Sequence, residues 1–256
     1  MKKTRIKVAL MHNTIAPYRH PFFEALAKIV DLTVYYCSMR HHFRKWDLWP
    51  RDYDYKFKLL SRIAIKTPVG EFSLNPTIVN EIIKSKPHII IISGYLDPTM
   101  WLVFAIAKLL KIPMVYWTEG IKEPKSILGM ITRPLRMLFV KKTNAIVVPG
   151  RVSRSYVISL GASAEKVFIA PNTIDNELFI ELSRKYQPDK ERLKDKLELK
   201  GRVLILCVSQ LIRRKGIEYL LYAYGKLEQE FDEIALVIVG SGPLEFHLKD
   251  LSLIHI

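Results

Sequence analysis

Arg202-Val-Leu-Ile-Leu-Cys-Val-Ser-Gln-Leu-Ile-Arg-Arg-Lys-Gly216 is the stretch on which the fold turns. Residues 203–208 form an apolar run of strand length, bounded by Gly201 and Ser209. A short loop carrying Arg213, Arg214 and Lys215 follows. From Gly216 onward Ile217, Leu220, Leu221, Tyr224 and Leu227 recur at helical spacing. A strand that runs through a basic loop into a helix start is suited to phosphate. The free backbone N–H groups and the positive dipole end face the anion, and the lysine adds a full charge. The same tripeptide also fits a solvated basic turn in any α/β protein, so the neighbouring sequence has to decide.

Upstream, residues 5–11 read as a strand, residues 12–19 as a loop, residues 21–29 as a helix and residues 32–37 as a second strand. The β-α-β alternation then repeats. Residues 75–85 read as a helix with Pro76 in its first turn, and residues 88–93 as a strand apolar enough to be buried on both faces. A helix over 101–110, strands at 113–117, 145–148 and 166–170, and a short helix over 153–160 stopped by Gly161 complete the series. Such alternation predicts an α/β fold, a doubly wound parallel sheet of Rossmann type. Thr118-Glu119-Gly120 then puts a carboxylate at the carboxyl edge of the sheet, where ligands of such folds sit. Helix capping or a plain surface position would place a glutamate there equally well.

Two segments have a different texture. Residues 39–58 interleave basic residues with Phe43, Trp46, Trp49, Tyr53 and Tyr55. They read as an exposed loop or hairpin, with membrane or acceptor contact as the second reading and nucleic-acid stacking as the third. Residues 127–142 are amphipathic and basic, and residues 121–154 hold eight Lys or Arg against the single acid Glu123. That asymmetry suits an anionic membrane surface, or a sheet-packing helix with a solvated basic face.

Forty-nine percent hydrophobic residues in a chain of 256 indicate a globular protein, and a net charge of +15 favours anionic partners. Cys37 and Cys207 lie inside apolar runs as buried free thiols, which predicts a cytoplasmic setting; the basic segments add the expectation of peripheral attachment to the inner face of the cell membrane. The apolar region 89–117 is broken by Gly94, Asp97, Pro98, Lys108, Lys111 and Pro113, and so reads as strand, loop, helix and strand instead of a spanning helix. No cluster has metal-ligand spacing, and no metal or cofactor is expected. A composition shift over 184–200 marks a boundary: residues 1–180 form an N-terminal domain, 181–200 a linker, and 201–256 the first part of a second α/β domain that turns at Gly240-Ser-Gly-Pro243.

Together these residues resemble the family 4 glycosyltransferases, retaining enzymes of the GT-B fold. The opening loop Ala16-Pro-Tyr-Arg19 before a Pro-Phe-Phe helix is similar to the start of that family. Pro171-Asn-Thr-Ile-Asp175 with Phe179 resembles its crossing between domains. Val208-Ser-Gln-Leu211 with Arg214-Lys-Gly216 resembles its donor-phosphate motif, and Val237-Ile-Val-Gly-Ser-Gly-Pro243 its next strand and glycine turn. The resemblance implies transfer of a sugar, with retained configuration, from a nucleotide-sugar to a saccharide or lipid-linked acceptor. Nucleic acid is not an expected partner. Gln210, Arg213, Arg214, Lys215 and Gly216 would bind the donor diphosphate and stabilise its growing charge without a metal. Asn13, Arg19, Gly240 and Gly242 would line the donor and acceptor cleft, and Glu119 is the catalytic candidate. A Rossmann-like protein that binds a nucleotide without chemistry is the alternative.

Several positions depart from the family pattern. Gln210 stands where an arginine is frequent, Thr173 replaces a glycine, and Glu119 occupies a region where many members carry a histidine. The family's paired-glutamate motif lies further along than Ile256. The terminal Leu251-Ser-Leu-Ile-His-Ile256 matches, as a reading frame, a transposon end used as a sequencing adapter. These two features predict a fragment, itself inactive, whose residues 251–256 are artefactual.

Overall fold

The structure is a computed structural model that describes residues 5–39, 53–67, 70–122 and 127–253. It divides into two compact units, residues 1–175 and 176–256. Among its described residues the first unit has nine strands. β1 (Lys7–Thr14), β2 (Asp31–Ser38), β3 (Lys56–Leu59), β6 (Ile89–Ser93), β7 (Met114–Trp117), β8 (Ala145–Val148) and β9 (Val167–Ile169) form one sheet; β4 (Ile63–Thr67) and β5 (Gly70–Leu74) pair as an antiparallel hairpin beside it. The seven-stranded sheet has the order β3-β2-β1-β6-β7-β8-β9, and every pair in it is parallel.

Alternation along the strands explains why the sheet needs cover on both faces. Val8 and Leu10 of β1 join Leu32, Val34 and Tyr36 of β2 on one face, packed by Phe23 of α1 (His20–Ile29). Ala9 and Met11 point the other way, to a second core with Ile90, Ile92, Met114, Tyr116 and Ile146. That face is covered by α2 (Ile78–Ser85), α3 (Pro98–Leu109), α5 (Arg133–Lys142) and α6 (Arg151–Ser159), which contribute Ile82, Val103, Phe139 and Val157; a short α4 (Ile127–Ile131) precedes α5. Each such side chain removed from water contributes ~1.5–3 kcal/mol. The expected doubly wound α/β fold is present. Cys37 is fully buried, which pushes its thiol up to about 12, and Cys207 is half-buried; both are free.

Three details differ from the sequence reading. Residues 12–14 continue β1 instead of opening a loop, because His12 and Thr14 stay paired with Tyr36 and Ser38 of β2 and are buried. Within residues 39–58, residues 40–52 lie outside the described residues, but the end of the segment is not a free loop: Lys56–Leu59 adds a strand to the sheet edge, and Tyr55 is buried. Residues 127–142 are two helices, broken at Thr132, with Pro134 in the first turn of the second.

The second unit begins with α7 (Asn176–Tyr186), through which the expected boundary at residue 180 runs, and continues with α8 (Lys190–Lys196). Its parallel pair β10 (Val203–Val208) and β11 (Ile234–Val239) is in register from Val203↔Ile234 to Val208↔Val239. α9 (Ile217–Glu228) and α10 (Glu245–Leu253) cover one face of this pair, with Leu211, Ile217, Leu221 and Leu248 buried around Cys207, Leu236 and Ile238. Leu251, inside the stretch expected to be artefactual, packs against this core, while residues 254–256 lie outside the described residues.

Candidate functional site

In the first unit the strand order reverses between β1 and β6, and a cavity of about 210 Å3 opens at their carboxyl ends. That is where open α/β sheets bind ligands, because the chains leaving adjacent strands diverge to opposite faces. β1 contributes His12 and Asn13, β6 contributes Ser93 and leads into Gly94, and β7 contributes Trp117 and leads into Thr118 and Glu119. Tyr18 and Arg19, from the turn after β1, complete the wall.

Arg19 is fixed from several sides. Its Nη2 donates to Glu119 Oε1 at 2.5 Å and its Nη1 to Asn172 Oδ1 at 3.3 Å. The Asn172 amide in turn donates to the same Glu119 oxygen at 3.1 Å. The guanidinium lies 4.6 Å from the centre of the Trp117 ring and 5.3 Å from that of Tyr18. Its buried Nε has no hydrogen-bond partner among the described residues. Sequence reading picked out Arg19, Glu119 and the Asn172 loop for three unrelated reasons, and the fold brings them into one network.

His12 belongs to the site although sequence reading placed it only at the start of a loop. Its Nδ1 donates to the Thr14 carbonyl at 2.8 Å, and its ring meets Phe23 and Tyr36 edge-on. Burial lowers its pKa to about 4, aided by the positive charge of Arg19 and opposed by the Thr14 bond and by Glu119. The imidazole is therefore neutral near pH 7. Ser93 Oγ donates to the Met11 carbonyl at 2.9 Å, which leaves its lone pairs for a ligand donor. With Arg19 and Glu119 offsetting each other, the wall is close to neutral: amide, hydroxyl, imidazole and two aromatic faces. This chemistry suits a polyhydroxyl group better than a phosphate. The sequence signal that could have found His12 is its position at the end of an apolar strand, beside Asn13.

The second unit carries the basic loop. Arg213, Arg214 and Lys215 form one turn of 3-10 helix, and Gly216 caps α9 in the left-handed region at φ 65°. All three cations are exposed, and none has an ion-pair partner among the described residues. The loop before them is held to the glycine turn after β11: Ser209 N donates to Val239 O, Leu211 N to Ser241 O and Leu244 N to Leu211 O, at 2.9, 3.0 and 3.1 Å. Gly240 and Gly242 exist for this approach. A Cβ on Gly240 would overlap the Ser209 carbonyl oxygen, and one on Gly242 that of Leu211. Gln210 lies in the loop after β10, three residues before the turn of Arg213, Arg214, Lys215 and Gly216, and the two glycines back that loop. A cavity of about 490 Å3 that Gly240 also lines is walled by Leu211, Leu221, Leu236, Ile238 and Leu248 with Glu228, Glu245 and Lys249, and includes none of the three cations. Three exposed cations at the entry to α9 suit an anion, and the acid of that first turn, Glu218, is hydrogen-bonded to His247 at 3.1 Å.

Among the described residues no group of three or more His, Cys, Asp or Glu is placed to hold a metal ion, and no helix is long and apolar enough to cross a membrane.

Comparison with known proteins gives three kinds of likeness. Residues 189–255 match the family described as Glycosyl transferases group 1. A GDP-mannose-dependent alpha-(1-6)-phosphatidylinositol monomannoside mannosyltransferase of Mycolicibacterium smegmatis is 25% identical over 240 residues, which is 90% of this chain and 57% of that protein. The crystal structure of HepE from Anabaena in complex with UDP and glucose superposes with a TM-score of 0.68 at 15% identity, covering 97% of this chain and 65% of that one. UDP-GlcNAc 2-epimerase from Neisseria meningitidis bound to UDP-GlcNAc gives 0.59 at 15% identity, covering 96% and 69%. The chain therefore spans 57% of the length of its curated relative and 65% of HepE. Its architecture is GT-B-like, and its residues 189–255, which include the whole basic turn and the glycine turn, match glycosyl transferases group 1.

Proposed function

We propose that the protein belongs to an enzyme that transfers a sugar from a nucleotide-diphosphate donor to a saccharide or lipid-linked acceptor, with retained anomeric configuration and without a metal. The observation that carries this reading is the match of residues 189–255 to glycosyl transferases group 1, a stretch that includes three exposed cations with no ion-pair partner among the described residues. In this reading Arg213, Arg214 and Lys215 hold the diphosphate and stabilise the charge that grows on it as the sugar leaves, and the start of α9 adds its dipole. The near-neutral cavity of the first unit takes a sugar ring, with Trp117 as platform and Asn13, Ser93 and Thr118 against hydroxyls. Glu119, held by Arg19 and Asn172, is the carboxylate nearest that chemistry. The mannosyltransferase relative, whose name gives a phosphatidylinositol-linked acceptor, supports a lipid-linked one here.

The competing reading is sugar isomerisation, because UDP-GlcNAc 2-epimerase has the same fold. The test is calorimetry of the protein with a panel of nucleotide-diphosphate sugars, followed by product analysis. One donor should bind, and Lys215→Ala should weaken it at least about tenfold, since a charge-assisted hydrogen bond contributes ~1.5–3 kcal/mol. Unchanged affinity in the variant refutes the phosphate assignment, and an isomerised sugar nucleotide without transfer refutes the reaction.

A further inference from the structure

The side-chain period of two along β1 sets His12 on the face that carries Val8 and Leu10, where the ring meets Phe23 of α1 and Tyr36 of β2. The same residue lines the cavity at the end of the strand. One bond fixes how the ring presents itself there. A carbonyl oxygen only accepts, so the 2.8 Å contact with Thr14 O puts the hydrogen of the neutral ring on Nδ1 and the lone pair on Nε2. A flipped ring would set a carbon against that carbonyl. Nε2 has no hydrogen-bond partner among the described residues and, unlike Thr14 Oγ1, it is not sealed from solvent. His12 is 8% exposed, so the ring is packed away while its one acceptor atom stays open at the cavity.

Two neighbours on the wall have the same polarity. Ser93 Oγ has given its hydrogen to the Met11 carbonyl and keeps only lone pairs. Glu119 receives the bonds from Arg19 and Asn172 at one oxygen, Oε1, and its Oε2 has no partner among the described residues. Arg19, the cation of the wall, is directed to Glu119 and Asn172. The hydroxyls of Tyr18 and Thr118 and the Asn13 amide can donate as well as accept, and so adapt to either kind of ligand atom. The His12 lone pair cannot adapt. A carbonyl, carboxylate or phosphoryl oxygen against it would set lone pair against lone pair at a place cut off from most water, and only a donor satisfies it.

We propose that His12 is a specificity-determining residue whose Nε2 accepts the hydrogen of one free hydroxyl on a sugar ring held in the first-unit cavity. The site then selects a neutral sugar that is unsubstituted at that position. It rejects the deoxy and O-methyl analogues, which cannot donate, and a ring that carries a carboxylate or phosphate there. The inference rests on the reading of this cavity as a sugar site. The hydroxyl can belong to the sugar of a nucleotide donor or to a saccharide acceptor, and the two sources are separated by experiment.

The experiment observes the ring nitrogens of the protein labelled with nitrogen-15 histidine, with His12→Asn identifying the signals of His12. The probes are methyl α-glucopyranoside and methyl α-mannopyranoside in one arm, and UDP-glucose and GDP-mannose against bare UDP and GDP in the other. The Nε2 signal should move towards the hydrogen-bonded position with a glycoside if the hydroxyl belongs to an acceptor. It should move with a nucleotide-sugar, but not with the bare nucleotide, if the hydroxyl belongs to the donor. For the sugar that moves it, the deoxy and O-methyl analogues at one ring position should bind at least about tenfold more weakly in calorimetry, because Nε2 is left unpaired. His12→Asn keeps a donor for Thr14 O and has no atom where Nε2 stood, so it should bind parent and analogue alike. No movement with any probe, equal binding of every analogue, or discrimination that survives in His12→Asn overturns the proposal. A nucleotide-sugar that binds in calorimetry without moving Nε2, with no glycoside moving it, overturns this assignment alone and leaves the transfer reading in place. Failure of every nucleotide-sugar to bind removes the transfer reading, and the glycoside arm still decides the role of His12.

Discussion

His12 offers a test that reads the first-unit site through stability alone. Its ring is buried against Phe23 and Tyr36, and burial is the largest cause of a pKa lowered from 6.5 to about 4. Between those two values the unfolded chain binds a proton at this ring and the folded chain does not. Stability therefore rises with pH through the window, is complete above 6.5 and is lost as pH falls towards 4. At ~1.4 kcal/mol per unit, going from pH 7.5 to pH 5 costs the folded state about 2 kcal/mol from this residue. The perturbation is His12→Asn, whose amide can still donate to the Thr14 carbonyl but cannot titrate. Urea unfolding of both proteins at the two pH values, followed by tryptophan fluorescence, gives a double difference free of the other titrating groups. Wild type should lose ~2 kcal/mol more than the variant on acidification. Equal losses in the two proteins would refute the claim that the ring is held neutral, and with it the near-neutral character of the cavity.

The remaining predictions concern packing. Gly240→Ala should unfold or loosen the second unit and abolish its nucleotide affinity, because the new methyl meets the backbone of Ser209. Gly150→Ala, which has open space within 4 Å, should leave melting almost unchanged. Differential scanning fluorimetry of the two variants checks the contrast. Phe139 is fully buried, with the Phe104, Tyr116 and Trp101 rings at 4.9, 5.0 and 5.1 Å, so Phe139→Ala should cost the first unit ~3–5 kcal/mol in denaturant unfolding.

Much of the scaffold was legible because its signals are local. A parallel strand buried on both faces must be apolar throughout, so Ile89–Ser93 declares itself; Val203–Val208 is equally apolar in sequence, although Val203, Leu206 and Val208 are exposed here. β3 did not declare itself. Lys56–Leu59 is an edge strand with all four residues exposed, and a strand with no buried face leaves no alternating pattern to read. The aromatic residues of that segment were open to stacking on a nucleic acid in sequence. In the structure Tyr53 stacks on His20 at 3.9 Å and Tyr55 is buried with its hydroxyl 2.5 Å from the same ring, so these two serve packing.

The sequence by itself determined the α/β alternation, the basic turn and the glycine turn that faces it, because each depends on residues close together in the chain. It also marked Arg19, Glu119 and Asn172, but as separate points. Arg19 and Asn172 are 153 positions apart, and Glu119 is 100 from Arg19. Only the tertiary structure decided that they form one network, since the strand order, which a local pattern does not encode, sets β1 beside β6 and β7 next to it. The same holds for His12, an ordinary histidine in sequence, made neutral by the side chains that folding packs around it.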